Sequence, residues 1–391
     1  MKRALKKRRN ITVLAYVVTA ALVSYNIIIT WYELVNRGNR DSLKIQFINS
    51  HHISQLDEYE SYNVTQLTKD DFRKDDLIRN FNVSANGSDV IVFMRIQKTG
   101  SSTLEFHLTN DVDVSPWCKS NNETPNNCSI HWRSNVLFQR VNNGWPCKVH
   151  PDWTYLHECV DGAMDKRHGR HFQRRYMYIT MVRDPVRRFV SEWKHVYRGT
   201  TWEKARLVCN GRSATEKEVP PCFNTTNWFH VTLQDFMDCA SNLAINRQTR
   251  MLANLSIVDC YTTSASGLTY DEKHYLMLAS AKENLRNMAF FGLTGHQELS
   301  QILFEKTFNL NFITNFKDTP PSKTRSGSVN LSNVQRDKII YLNRFDVMLY
   351  QYAKGLFFQR LQMLAARSKD SSLLNLIEEY RTLDSEKPAH S

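Results

Sequence analysis

The stretch DVIVFMRIQKTGSST, residues 89–103, decides the fold. Its first half is an uninterrupted apolar run, the pattern of a strand buried on both faces, as in parallel sheets. Its second half turns at Gly100 and passes into a helix-compatible stretch from Ser102 to about Asn110. A strand, a glycine turn and a helix in that order bring outward-facing N–H groups, with their partial positive charge, to the end of the strand. Lys98 adds a point charge there, and the hydroxyls of Thr99, Ser101, Ser102 and Thr103 add donors. The segment from Arg95, Ile96 and Gln97 to Thr103 therefore reads as a cradle for one terminal phosphate, with an ordinary polar turn as the competing reading. A Walker A loop is excluded, because GxxxxGK[ST] is absent and the lysine precedes the glycine.

Outward from this unit the pattern repeats. YMYITMV (176–182) is a second buried strand, followed by Pro185 and a helical pattern to about Arg198. MAFFGL (288–293) precedes an amphipathic stretch from Gln297 to Phe308, and FITNF (312–316) closes that unit. Strand–helix alternation at this spacing predicts an α/β fold with a parallel sheet flanked by helices. The cysteine-rich stretch 111–165 and the loop 200–225 read as long insertions, which in compact domains are usually functional. Arg183 ends the second strand and Ser191 lies two turns into the next helix. An arginine and a hydroxyl held this way can grip a second phosphate by charge-assisted hydrogen bonds.

Composition is that of a folded globular chain: 41% of the 391 residues are hydrophobic and 23% charged, which excludes wholesale disorder and collagen. The net charge is +12, but Lys2, Arg3, Lys6, Lys7, Arg8 and Arg9 supply half of it, so the body is only mildly basic. That suits an anionic partner without favouring nucleic acid. Residues 11–32 hold no Asp, Glu, Lys or Arg. As a helix at ~1.5 Å per residue they span about 33 Å, enough for a ~30 Å hydrocarbon core. With the basic residues before them they predict an N-terminal transmembrane helix (a signal-anchor), a cytoplasmic tail over 1–10 and a lumenal body; a cleaved signal peptide is the alternative. The polar stretch 33–88 reads as a stem, 89–365 as the catalytic domain and 366–391 as a polar, loosely ordered tail. Two counts agree with a lumenal body. The eight cysteines all fall between 118 and 260 with no CxxC pair, which favours disulfides over metal. Beyond residue 32, sequons occur at Asn63, Asn82, Asn86, Asn122, Asn127, Asn224, Asn254 and Asn330, predicting glycosylation.

The two phosphate motifs together carry a resemblance. A lysine-bearing KTG-type loop after the first strand, with an arginine and a serine eight residues later after another strand, is the signature of the sulfotransferase superfamily. The spans RIQKTGSSTLEFHL, YITMVRDPVRRFVSEWKHVYRGTTW, LQDFMDCASNLAINRQTRML and NLRNMAFFGLTG resemble heparan sulfate 6-O-sulfotransferases in particular, over about residues 89–360. The resemblance implies the P-loop-like sulfotransferase fold and a Golgi type II membrane enzyme. It would use 3′-phosphoadenylyl sulfate (PAPS) to sulfate the 6-hydroxyl of glucosamine in heparan sulfate. It implies that Lys98, with residues 96–103, holds the 5′-phosphosulfate and that Arg183 and Ser191 hold the 3′-phosphate. His150, in VHPDW (149–153), is implied as general base, with Lys98 also catalytic. Arg140, Trp145, His195 and Trp202 are implied to line the acceptor groove, and Thr324, Arg325 and Ser326 to close over the donor. The chain departs from the family at Arg95, where a histidine is expected, and at Ser101, where a second glycine is expected.

The chemistry agrees with these roles. Sulfuryl transfer needs in-line geometry and stabilisation of charge on the leaving oxygens. An imidazole, ordinarily titrating near ~6.5, can take a sugar hydroxyl's proton near neutral pH. Lysine and arginine already neutralise the leaving bisphosphate, so no metal is expected. The alternatives are sulfation at another position or on another glycan, and an inactive heparan-binding membrane protein.

Overall fold

Strand β1, Asp89–Phe93, is buried at every residue, which is why it reads as an unbroken apolar run. The computed structural model describes residues 72–84, 88–114, 125–139, 146–148, 150–200, 207–223, 227–262, 267–317 and 329–386. A short helix α1, Lys74–Leu77, precedes β1, and α2, Ser101–Asn110, follows it. Next come β2 (Val112–Asp113), α3 (Pro125–His131), a π-helical turn (Trp132–Val136) and β3 (Leu137–Phe138). Helix α4 (Trp153–His168) leads to β4 (Arg175–Val182) and α5 (Pro185–Tyr197). A hairpin of β5 (Val208–Cys209) and β6 (Arg212–Ser213) precedes α6 (Leu233–Asp238), α7 (Arg247–Leu252) and α8 (Tyr270–Asn287). The rest is β7 (Phe290–Leu293), α9 (Gln297–Phe308), β8 (Asn311–Phe312), α10 (Asn333–Leu342), α11 (Arg344–Ser368) and α12 (Ser371–Glu386).

The main sheet has the order β3-β1-β4-β7 with every neighbouring pair parallel, in a register that sets Ile91 against Leu137 and Met177, and Ile179 against Phe290. From β1 the chain adds β3 on one side, then returns to add β4 and β7 on the other. The connection therefore reverses between β1 and β4. In open α/β sheets that reversal opens a crevice at the carboxyl ends of the strands, where ligands bind.

The structure corrects the expected fold in several places. The sheets are not all parallel: β2 pairs with β8, and β5 with β6, antiparallel. Of FITNF only Phe312 lies in a strand, β8, outside the main sheet, and the fourth parallel strand is β3, from the cysteine-rich stretch read as an insertion. Two residues are too few for any periodicity to reveal a strand. The folded body begins upstream of the expected boundary, since Phe72, Leu77, Phe81 and Val83 pack on the core and Phe81 N–H donates to the Thr307 carbonyl at 2.7 Å. The tail is helical through α12, anchored by the buried Leu373 and Ile377. Among the described residues no helix is long and apolar enough to cross a membrane. The expected span 11–32 lies outside those residues. The transmembrane helix, the signal-anchor and membrane anchoring, and with them the single-pass Golgi topology, are therefore not retained.

Candidate active site

The loop leaving β1 is closed by its own hydroxyls. Ile96 is fully buried, and its carbonyl accepts from Thr99 Oγ1 at 3.0 Å and from Ser101 Oγ at 2.9 Å. These two hydroxyls thus face inward, contrary to the expectation that they add donors to the cradle. Lys98 and Gly100 both take left-handed backbone, with φ of 65° and 77°, and Gly100 starts α2. A Cβ on Gly100 would meet the Thr294 methyl at 3.0 Å, so glycine is required there for both conformation and space. Thr294, just past β7, ties the loop to the sheet: its hydroxyl donates to the Thr99 carbonyl at 2.6 Å and lies 3.2 Å from that of Val182. On α2, Ser102 accepts from Arg95 at 3.0 Å, while Arg95 and Glu105 form a buried ion pair at 3.1 Å.

Arg183, at the end of β4, is fixed by a residue 65 positions away. The fully buried Gln248 accepts from Arg183 N–H and donates to its carbonyl, each at 2.9 Å. Gln248 is in turn set by Asp346 on α11, which accepts from the N–H groups of Gln248 at 3.1 Å and Thr249 at 2.7 Å, capping α7. The Arg183 guanidinium donates from Nη1 to the Lys98 carbonyl at 3.0 Å. The two cation-bearing loops therefore touch at the carboxyl ends of the adjacent strands β1 and β4. Burial, only partly opposed by Asp184, holds the Arg183 pKa below its ordinary value, and a bound anion would compensate that desolvation. Asp184 also caps α5, accepting from Arg187 N–H at 2.8 Å with Pro185 in the first turn.

A third segment brings His150. Lys148 and His150 have φ of 68° and 54°, left-handed backbone that non-glycine residues rarely adopt. The Cys147–Cys159 disulfide pins this loop to α4. His150 Nδ1 lies 3.1 Å from the Arg95 carbonyl. A carbonyl only accepts, so Nδ1 carries the proton and Nε2 keeps its lone pair. His150 borders two hollows, one shared with Gln97 and the other with Phe138 and Gln139. His195, on α5, is held at a pKa of about 4 by burial first, then by Lys98 and Arg198, so it is neutral at physiological pH.

Asp152 caps α4 through Tyr155 N–H at 2.9 Å and takes the Tyr261 hydroxyl at 2.9 Å. Burial nevertheless raises its pKa from 3.8 to about 6. The fold thus favours the protonated acid: its stabilising contribution is full below the ordinary value and lost as pH rises through 6. Asp152→Asn keeps the cap and removes the titration. The urea midpoint of the variant relative to wild type should therefore climb between pH 4 and pH 7, and a falling or flat difference would exclude this assignment.

Comparison with known proteins bears on this crevice. A profile described as Sulfotransferase family matches residues 81–353. Heparan-sulfate 6-O-sulfotransferase 3-B of Danio rerio is 46% identical over 310 residues, covering 78% of this chain and 73% of the relative. Heparan-sulfate 6-O-sulfotransferase 2 of Gallus gallus is 42% identical over 324 residues, covering 82% and 79%. Heparan-sulfate 6-O-sulfotransferase 1 of Homo sapiens is 45% identical over 291 residues, covering 73% and 70%. The chain belongs to the heparan-sulfate 6-O-sulfotransferase family.

In this heparan-sulfate 6-O-sulfotransferase family member, the residues singled out from sequence fall into three groups. The Arg183 guanidinium meets the Lys98 carbonyl, His195 feels the Lys98 charge, and Gln97 and His150 border one hollow. Ile96, Thr99 and Ser101 turn their side chains inward, Ser102 and Thr103 are exposed on α2, and Ser191 is buried on α5. Ser101, in place of a glycine, fits because its hydroxyl finds the Ile96 carbonyl. Arg140, Trp145, Trp202, Thr324, Arg325 and Ser326 lie outside the described residues. Of the sequons, Asn82 and Asn330 are exposed and Asn254 is half-buried with its amide oxygen accepting from Ser256 N–H at 3.1 Å. The side chains of Asn63, Asn86, Asn122, Asn127 and Asn224 lie outside the described residues. Further disulfides join Cys209 to Cys260 and Cys222 to Cys239, Cys128 is also disulfide-bonded, and no described cysteine is free. Sequence reasoning missed Gln248 and Thr294 as site residues. Gln248 lay within the quoted NRQTRML span, but nothing local linked it to Arg183.

Proposed function

We propose that this chain transfers a sulfuryl group from PAPS to the 6-hydroxyl of glucosamine in heparan sulfate. The hydrogen bond from Arg183 to the Lys98 carbonyl carries the reading, because it joins two cationic loops at the carboxyl ends of adjacent parallel strands. The donor set fits a nucleotide with anionic groups at both ends: a lysine just before a helix N-terminus and a desolvated arginine. When bound, PAPS supplies a sulfuryl group on a phosphate leaving group.

Lys98 and the first turn of α2 hold the 5′ end and neutralise charge growing on the leaving oxygens. Arg183, with Ser191, holds the 3′-phosphate by charge-assisted hydrogen bonds. His150, with Nδ1 occupied by the Arg95 carbonyl, takes the 6-hydroxyl proton at Nε2 as the oxygen attacks sulfur in line. His195, neutral beside Lys98, lines the acceptor groove as a hydrogen-bonding group without charge. The resemblance assigns Arg140, Trp145 and Trp202 to acceptor binding and Thr324, Arg325 and Ser326 to donor binding, and those roles are part of this proposal.

A sulfate-transfer assay on N-sulfated heparan precursor, followed by disaccharide analysis, tests the proposal. The label should reside on the 6-oxygen of glucosamine. Label at another position would reassign the regiochemistry. No transfer, with no retention on immobilised adenosine 3′,5′-bisphosphate, would leave only a heparan-binding protein.

A further inference from the structure

We propose that Lys166, Arg167 and Arg170 form a second docking site for the acceptor polysaccharide, remote from the reacting sugar, that holds an anionic stretch of the same chain. The inference rests on the function proposed above and extends it along the polymer. Helix α4 ends in Lys166, Arg167 and His168, and Gly169 closes it in left-handed backbone at φ of 67°. The acids of this helix are turned elsewhere. Asp165 takes Arg174 at 2.5 Å and His171 Nδ1 at 2.6 Å, and Asp161 lies 3.5 Å from the same buried guanidinium. Arg175 is engaged by Asp89, to which it donates from Nε at 2.9 Å and from Nη2 at 2.8 Å. Lys166, Arg167 and Arg170 are exposed, and no carboxylate of the described residues pairs with any of them.

A helix C-terminus favours cations in its last turn, which accounts for Lys166 and Arg167. It does not account for Arg170, which lies beyond the glycine cap and over the Phe172 ring at 5.3 Å. The local field is positive: the His168 pKa is held below its ordinary value by burial first, then by Arg174, Arg167 and Arg170. Cations gathered without counter-charges attract a polyanion and release its counterions. The surroundings choose the kind of polyanion. No large apolar side chain is exposed on α4 or on the loop to β4, as an amphipathic membrane surface would show, and no exposed Phe, Tyr or Trp ring there offers a stack for bases. A sulfated polysaccharide needs neither. The helix also sets the span. α4 starts three residues after His150, and its 16 residues at ~1.5 Å each put the patch about 24 Å from the candidate base. One long chain can occupy both ends of the helix, whereas a short oligosaccharide occupies only one.

The test compares wild type with the triple variant Lys166→Gln, Arg167→Gln, Arg170→Gln on two acceptors, a long N-sulfated heparan precursor and a tetrasaccharide cut from it. The variant should raise KM for the polymer by ~10-fold at near-physiological salt with kcat unchanged, and leave both constants on the tetrasaccharide as they are. By analogy with single-stranded polyanions, three lost contacts at ~0.7 each should reduce the slope of log KM against log salt by about 2. Binding of adenosine 3′,5′-bisphosphate reports that the variant is folded; should it fail this check, Arg170→Gln alone, outside the helix, decides with a slope change of about 0.7. An equal loss on both acceptors, or no change on the polymer, overturns the docking site. So does loss of binding to phosphatidylserine vesicles with unchanged polymer kinetics, which would assign the patch to a membrane surface. A wild type that sulfates neither acceptor at the 6-position overturns the underlying function instead, and the docking site with it.

Discussion

Replacing His150 with alanine should lower sulfuryl transfer by at least ~10²-fold while adenosine 3′,5′-bisphosphate binds as before, since general-base catalysis is worth ~10²–10⁴-fold. The magnitude follows from what the imidazole is placed to do. A sugar hydroxyl is a poor nucleophile, and the proton must leave as the oxygen reaches sulfur. The Arg95 carbonyl fixes the tautomer with the proton on Nδ1, and the disulfide to α4 holds the loop in an unfavourable left-handed backbone. Strain of this kind costs of order 1–3 kcal/mol per residue and persists where surrounding structure over-determines it. Alanine at φ of 54° adds a backbone cost of its own, so His150→Asn is the better-matched variant, because asparagine tolerates that region. Both should lose turnover alike. Near-normal kcat in either, with unchanged nucleotide affinity, removes His150 from the mechanism.

What could be read from the sequence divides along a physical line. β1 and β4 were legible because both faces of each are covered, which forces continuous apolar runs. The loop after β1 was legible because a glycine turn, a lysine and a helix start are contiguous. β3 was not, since two residues carry no period, and neither was α12, whose buried contacts rest on few side chains such as Leu373 and Ile377 in a polar segment. The inward turn of Thr99 and Ser101 was invisible for another reason: a hydroxyl beside a phosphate-type loop looks the same whether it serves a ligand or its own backbone. Gln248 and Thr294 hold the site from 65 and 195 residues away in sequence. Hydrogen bonds at such separations leave no local pattern, and they appear only once the sheet has brought its strands together.

Arg183→Ala should weaken adenosine 3′,5′-bisphosphate binding by ~10²-fold or more, the effect of losing one or two charge-assisted hydrogen bonds of ~1.5–3 kcal/mol each. The same guanidinium holds the Lys98 carbonyl at 3.0 Å, so its loss also loosens the left-handed turn that presents Lys98. One substitution therefore acts on both ends of the donor, and the effect should exceed that of removing a single phosphate contact. Arg183→Lys separates the two contributions. It restores a positive charge but not the planar fork, so affinity should recover only in part. Calorimetry on the three proteins gives the ordering wild type, lysine, alanine. Equal affinity in wild type and alanine rejects Arg183 as a nucleotide contact. Equal affinity in lysine and wild type would mean that charge alone matters and that the bond to the Lys98 carbonyl does not organise the loop.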